Sequence, residues 1–87
     1  MANIFIGTLT NDTKTFTANE GYNKISIKIT AASTADATIT GGDILDLAAG
    51  VVLKAGDIAN FIENFPIDGL IITCPVDCTA EIYAAQR

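Results

Sequence analysis

Residues 68–84 read DGLIITCPVDCTAEIYA, and this stretch decides the predicted fold. Apolar residues recur at every second position on both sides of Pro75-Val76-Asp77. Side chains of a β-strand alternate between its two faces, so the pattern predicts two strands, each with one apolar face. The residues of that face are Leu70, Ile72, Cys74, Cys78, Ala80, Ile82 and Ala84. Because proline lacks the N–H that a sheet ladder needs, Pro75 predicts a tight turn and therefore a β-hairpin.

The rest of the chain repeats this rhythm of short alternating runs and turn residues. Strands are predicted over residues 2–9, 13–18, 22–30, 35–40, 44–47 and 51–54, with turns at Asn11-Asp12, Asn19-Glu20-Gly21, Gly41-Gly42, Gly50 and Ala55-Gly56-Asp57. A spacing of about 8 to 12 residues between turns is typical of all-β folds. The sequence predicts a single domain over residues 1–87. That domain is a small antiparallel β-sandwich or barrel of about seven to eight short strands.

Residues 58–65 carry a different pattern. Ile58, Phe61, Ile62 and Phe65 fall at i, i+3, i+4 and i+7, and Asp57 could cap a short helix there. The segment is short, contains two asparagines and lies among strands, which favours a strand or an irregular loop, so both alternatives stay open. These four apolar residues do not fit a simple half-buried strand. We therefore expect them to be subunit-interface residues.

Composition excludes several classes of function. The 87 residues include 5 basic and 10 acidic ones, with a net charge of −5, so the chain has no basic stripe for nucleic acid or an anionic membrane. No apolar run approaches the roughly 18 residues of a membrane span, and the N-terminus lacks the features of a signal peptide. The chain is expected to stay in the compartment where it is made. Its hydrophobic fraction of 49% is high for so small a domain and predicts burial between subunits.

The residues needed for catalysis or metal binding are scarce. The chain has no histidine, which removes the commonest general base and every Ser-His-Asp or Cys-His arrangement. Cys74 and Cys78 lack zinc-site spacing; they are predicted to be buried thiols, with a disulfide across the hairpin as the alternative. The carboxylates of the second half are interpreted as turn and solubilising residues. We predict no enzyme activity, no catalytic residue, no cofactor and no metal.

Tyr22 and Tyr83 are the candidates for binding a ligand by stacking, and Tyr83 is preferred. Tyr83 lies on the polar face of the predicted second strand, beside Glu81. A tyrosine there can stack on a sugar, although it can equally pack its ring and leave its hydroxyl in water. A small glycan- or ligand-binding β-sandwich module is therefore the alternative function.

The rhythm of strands and turns resembles that of a known group of proteins. The residues that carry this resemblance are the Gly56-Asp57 turn, IDGLIITCP at 67–75, TAEIY at 79–83 and the strand at 24–30. Together they resemble small virion proteins of tailed bacteriophages, of the head decoration and auxiliary type. The resemblance lies in the order and spacing of the strands and turns.

The resemblance implies a non-enzymatic structural protein. Such a protein forms a β-sandwich that assembles into homo-oligomers, often trimers, on a capsid or another virion protein. It is located in the virion, which is assembled in the host cytoplasm. Its partners are expected to be copies of itself and a virion protein, with no nucleic acid and no membrane.

Overall fold

Six β-strands form a single curled antiparallel sheet, a half-barrel, in the described part of the chain. The computed structural model describes residues 4–16, 21–41, 47–62, 67 and 69–86. The strands are β1 (Ile4–Phe16), β2 (Lys24–Ile29), β3 (Ala37–Gly41), β4 (Leu47–Leu53), β5 (Ile58–Ile62) and β6 (Leu70–Ala85). The predicted all-β antiparallel fold is confirmed. The described residues form six strands, whereas about seven to eight were predicted for the whole chain, because the strands predicted on either side of Asn11-Asp12 and of Pro75-Val76-Asp77 are continuous.

β6 is the central strand, and it corrects the predicted hairpin. It runs for 16 residues through Pro75-Val76-Asp77 without reversing direction. Cys74 pairs with Asp12 while Thr79 pairs with Thr10, so four residues of β6 lie opposite one residue of β1. Pro75, Val76 and Asp77 are exposed at this bulge, with Val76 at 62%, and Asp77 has a φ of 68°. Proline is tolerated at such a bulge because no ladder hydrogen bond is needed there.

β1 is also one strand where a turn was predicted. Its register shifts between Thr10 and Asp12, and Asn11, with a φ of 50°, is the extra residue. One inserted residue exchanges the two faces of a strand. Leu9 is buried before the bulge and Phe16 after it, although their positions differ by an odd number. The bulge thus keeps both halves of β1 facing the core.

The bulges of β1 and β6 lie beside each other and divide the sheet into two halves. β2 pairs with one end of β6 and β3 with the other, and β5 and β4 extend each of these pairs outward. The sheet therefore has two halves. The β2 half contains β5, β2, residues 80–85 of β6 and residues 4–9 of β1. The β3 half contains β4, β3, residues 70–74 of β6 and residues 12–16 of β1.

The hydrophobic core joins the two halves on the inner side of the curl. Apolar residues from both halves belong to one cluster, and no buried polar or charged side chain occurs among the described residues. The seven residues predicted as the apolar face of 68–84 are all buried: Leu70, Ile72, Cys74, Cys78, Ala80, Ile82 and Ala84. Phe16 is the aromatic centre, in edge-to-face contact with Phe5 and Tyr22 at centroid distances of 6.0 and 5.7 Å. Burying these side chains is the main stabilising term of the fold.

The segment from 47 to 62 differs from its prediction in two ways. Gly50, expected to end a strand, lies inside β4 with a φ of 83°, so β4 continues through this position into the strand predicted at 51–54. Residues 44–46 of the strand predicted at 44–47 lie outside the described residues. Residues 58–62 form strand β5, which settles them in favour of the strand. A turn at residues 54–57 joins β4 to β5. There the backbone N–H of Lys54 donates to a carboxylate oxygen of Asp57 at 2.8 Å.

Candidate functional site

The outer surface of the β2 half carries three rows of side chains. We call this surface the outer face. In the first row, Ile6 stands beside Tyr83, Tyr83 beside Ser26, and Ser26 beside Asn60. The second row is Thr8, Glu81, Lys28 and Ile58, and the third is Ile4, Ala85, Lys24 and Ile62. The strand order β1–β6–β2–β5 places isoleucines at both lateral edges of the outer face.

The outer face concentrates the exposed apolar surface of the molecule. Ile4, Ile6, Ile58, Ile62 and Tyr83 are 59%, 76%, 60%, 54% and 38% exposed. They are five of the eight large hydrophobic residues that are exposed in the described part of the chain. Single exposed apolar residues are common on proteins, whereas a cluster of this kind marks an interaction surface.

A trough of about 270 Å³ runs between the first and second rows. Its lining is mainly apolar: Ile6, Gly7, Thr8, Ser26, Ile27, Lys28, Ile58, Glu81, Ile82 and Tyr83. Polar groups flank the trough. The Ser26 hydroxyl donates to Asn60 Oδ1 at 2.7 Å, and Lys24 Nζ lies 5.9 Å from the centre of the Tyr83 ring. A trough of this size fits an apolar side chain of a partner.

The structure brings together three of the five preferred candidate residues from the sequence. Ile58, Ile62 and Tyr83 lie on the outer face. Phe61 lies on the opposite side of β5 and packs against the core, because alternate residues of a strand point to opposite faces. The four predicted interface residues therefore do not share one surface, and Phe65 lies outside the described residues.

Sequence reasoning missed Ile4 and Ile6 as candidates for the same surface. Ile4 and Ile6 alternate with Phe5, which packs on the core, so β1 is apolar on both faces at this end. β5 shows the same property, with Ile58 and Ile62 outside and Phe61 inside. A strand that is apolar on both faces in a one-sheet protein is the signal that was available for finding them.

A cluster of hydroxyl side chains lies where the sheet bends, apart from the outer face. The Ser33 hydroxyl accepts from the backbone N–H of Thr79 at 3.0 Å and lies 2.9 Å from the hydroxyl of Thr30, and the hydroxyls of Thr10 and Thr79 are 3.0 Å apart. An open groove of about 440 Å³ runs beside them. These hydrogen bonds join the loop after β2 to β1 and β6, so the cluster holds the bend in place.

The remaining chemistry of the described residues is sparse. Within the ranges described, no three Cys, Asp or Glu side chains are grouped so that they could hold a metal ion. No helix in those ranges is long and apolar enough to cross a membrane. Comparison with protein-family models, with curated proteins and with solved structures finds no match to this chain. Its function is therefore inferred from the outer face.

Proposed function

We propose that the protein is a non-enzymatic structural protein that assembles with copies of itself through the outer face, as a decoration or auxiliary component of a virion. The observation that carries the assembly is the group of exposed isoleucines at the two edges of this face. The virion part of the proposal rests on the resemblance of the strand and turn pattern to small virion proteins of tailed bacteriophages. The partner at the outer face is a second copy of this chain.

The two edges of the outer face are suited to each other. Ile4 and Ile6 lie on β1, which pairs only with β6, and Ile58 and Ile62 lie on β5, which pairs only with β2, among the described strands. Each edge thus offers an unpaired strand with exposed isoleucines. When the β1 edge of one copy meets the β5 edge of the next, the contact is head-to-tail, and such contacts form a ring when the rotation between neighbouring copies closes and an open filament when it does not. A trimer is the smallest such ring.

The strength of one contact follows from the exposed area. The four isoleucines expose about two and a half side chains in total, and burying each fully contributes about 1.5–3 kcal/mol. The gross gain is about 4–7 kcal/mol for each contact, which is similar to the lower estimates of the cost of association. One contact is weak by itself. A closed ring on a repeating lattice combines several such contacts into firm binding.

The test is the mass in solution of three variants across a dilution series, by light scattering after gel filtration. Ile6→Glu removes a side chain worth about 1–2 kcal/mol at its 76% exposure and adds a carboxylate, so assembly needs at least about tenfold more protein. Ile58→Glu has the same effect at the other edge. Val52→Glu is the matched control, because Val52 is 55% exposed but lies on β4 in the β3 half.

The expected result is a trimer or larger ring for the wild type and for Val52→Glu, and monomers for the two isoleucine variants. Far-UV circular dichroism and thermal melting establish that each variant is folded. A wild type that stays monomeric at high concentration contradicts the assembly. Equal loss of assembly in all three variants contradicts the location at the outer face. Quantifying copies of the protein in purified particles tests the virion.

A specific observation also supports a ligand-binding module. Tyr83 stands at the side of the trough together with the hydroxyl of Ser26 and the carboxylate of Glu81. An aromatic ring beside hydrogen-bonding groups is suited to a sugar. Glycan binding that is lost in Tyr83→Ala, with the oligomer intact, would favour this function over assembly alone.

A further inference from the structure

Cys74 and Cys78 are thiol side chains that the proposed assembly does not use. Both face the core, at 2% and 0% exposure, and both are free thiols. Their side chains hydrogen-bond each other. They stand on the two sides of Pro75-Val76-Asp77, where β6 bulges.

The bulge brings the two cysteines closer than their spacing in sequence suggests. Residues i and i+4 of a regular strand are about 13 Å apart. Here Cys74 pairs with Asp12, and Thr79, the neighbour of Cys78, pairs with Thr10. Two steps along β1 therefore match the five steps from Cys74 to Thr79 along β6, which limits the separation of those two Cα atoms to about 7 Å and places Cys78, the residue before Thr79, close to Cys74. The Cα atoms of disulfides are usually about 4.4–6.8 Å apart.

We propose that Cys74 and Cys78 form a redox modification site, in which a small disulfide such as oxidised glutathione converts them into an intrastrand disulfide that closes the β6 bulge. One cysteine thiolate attacks the small disulfide, forms a mixed disulfide and releases one small thiol. The other thiolate displaces the second small thiol. The two cysteines lose two protons and two electrons in total, and one small disulfide becomes two thiols.

Access to this reaction is controlled by the bulge. Burial, together with the hydrogen bond to Cys78 and the charge of Cys78, raises the pKa of the Cys74 thiol to about 12. Because the thiolate is the nucleophile, the closed form reacts slowly, and reaction proceeds through local opening. Opening requires breaking the hydrogen bonds from the backbone N–H groups of Thr34 and Ala35 to the carbonyl of Asp77, at 2.9 and 3.3 Å. The disulfide, once formed, is sheltered from reductants by the same packing.

The disulfide between Cys74 and Cys78 is expected to stabilise the fold. A disulfide across five residues restricts the unfolded chain, so the equilibrium constant for disulfide formation should be about 30-fold larger in the native protein than in the chain unfolded in urea. For a domain of this size the same effect corresponds to a rise in Tm of roughly 8–16 °C. These two quantities can be measured independently of oligomer mass.

The experiment treats the folded protein at pH 8 with excess oxidised glutathione and analyses the acid-quenched product by mass spectrometry. The expected product has lost two hydrogen atoms and resists alkylation after denaturation. An endoprotease that cuts before Asp77 leaves its two fragments joined until a reductant is added. Titration with glutathione redox buffers, in the native state and in urea, gives the equilibrium constant for forming the Cys74–Cys78 disulfide in each state, and hence the ratio of the two constants.

The single variants Cys74→Ala and Cys78→Ala are the controls and should show no rise in Tm under oxidation. The proposal is overturned if both thiols remain free, if the mixed disulfide persists, or if cross-linked dimers form instead. It is also overturned if ring closure is no more favourable in the native protein than in urea, or if the oxidised form melts at a lower temperature.

Discussion

Gly41 and Gly56 form a matched pair in which the same substitution should have very different effects. Both adopt a left-handed backbone conformation, with φ values of 79° and 84°. A Cβ at Gly56 would meet open space, whereas a Cβ at Gly41 would overlap the carbonyl oxygen of Gly69. Gly56→Ala therefore tests the conformational cost alone, and Gly41→Ala tests that cost plus the overlap.

The structure sets the size of each effect. A left-handed conformation costs a residue with a Cβ about 1–2 kcal/mol, which is the full expected loss for Gly56→Ala. In Gly41→Ala the backbone of Gly69 must also move, although its N–H donates to the carbonyl of Phe16 at 2.7 Å and it immediately precedes the fully buried Leu70. Losing that hydrogen bond and disturbing the start of β6 adds about 2–3 kcal/mol.

The assay is urea unfolding followed by far-UV circular dichroism, with thermal melts as a second measurement. For a domain of about this size, 1 kcal/mol corresponds to a shift in Tm of about 4–8 °C. We expect the Tm of Gly41→Ala to fall below that of Gly56→Ala by roughly 10–20 °C. Equal losses in the two variants would show that the approach of β3 to Gly69 does not constrain the fold.

Two further predictions concern the bend of the sheet. Burial raises the pKa of the Cys74 thiol from 9.0 to about 12, so above pH 9 the unfolded chain loses a proton that the folded chain keeps. The free energy of unfolding should therefore be constant below pH 9 and should fall by about 1.4 kcal/mol per pH unit between pH 9 and 12. Urea unfolding at pH 8 and 10 measures this fall, and an unchanged fall in Cys74→Ala would refute it. Ser33→Ala removes the acceptor of the Thr79 N–H and should lower the free energy of unfolding by about 1–2 kcal/mol, whereas Thr34→Ala, at an exposed side chain, should change it by less than about 0.5 kcal/mol. Equal effects of these two substitutions would contradict the role of the Ser33 hydroxyl.

The alternation of apolar residues was sufficient to predict which side chains form the core. Leu70, Cys78 and Ala84 all face inward as predicted, because burial of a face depends on the period of two. The same pattern could not distinguish a turn from a bulge. Pro75 and Asn11 interrupt the ladder in either case, and only pairing with distant strands decides whether the chain reverses or bends.

The candidate site was predicted in part for a related reason. Ile58 and Ile62 were predicted as subunit-interface residues and Tyr83 as a ligand-stacking residue, and Phe61 was grouped with the isoleucines because the segment did not fit a simple half-buried strand. In strand β5 the spacing of Ile58, Phe61 and Ile62 divides them between two faces. The sequence already shows that β1 is apolar on both faces near Ile4 and Ile6, but placing these residues beside Tyr83 and Ala85 needed the register of β1 with β6, which joins residues about 80 positions apart.

The central position of β6 has a consequence for biosynthesis. β1 and β2 both take their inward neighbour from β6, and β1 has no other partner among the described strands. During translation β6 is the last of the six strands to leave the ribosome, so the edges of earlier strands that pair with β6 remain unpaired until residues 70–85 emerge. Pairings so distant in sequence form slowly, and waiting edges invite pairing with other chains. A nascent chain arrested before residue 70 should therefore be bound by chaperones, while the released chain should not.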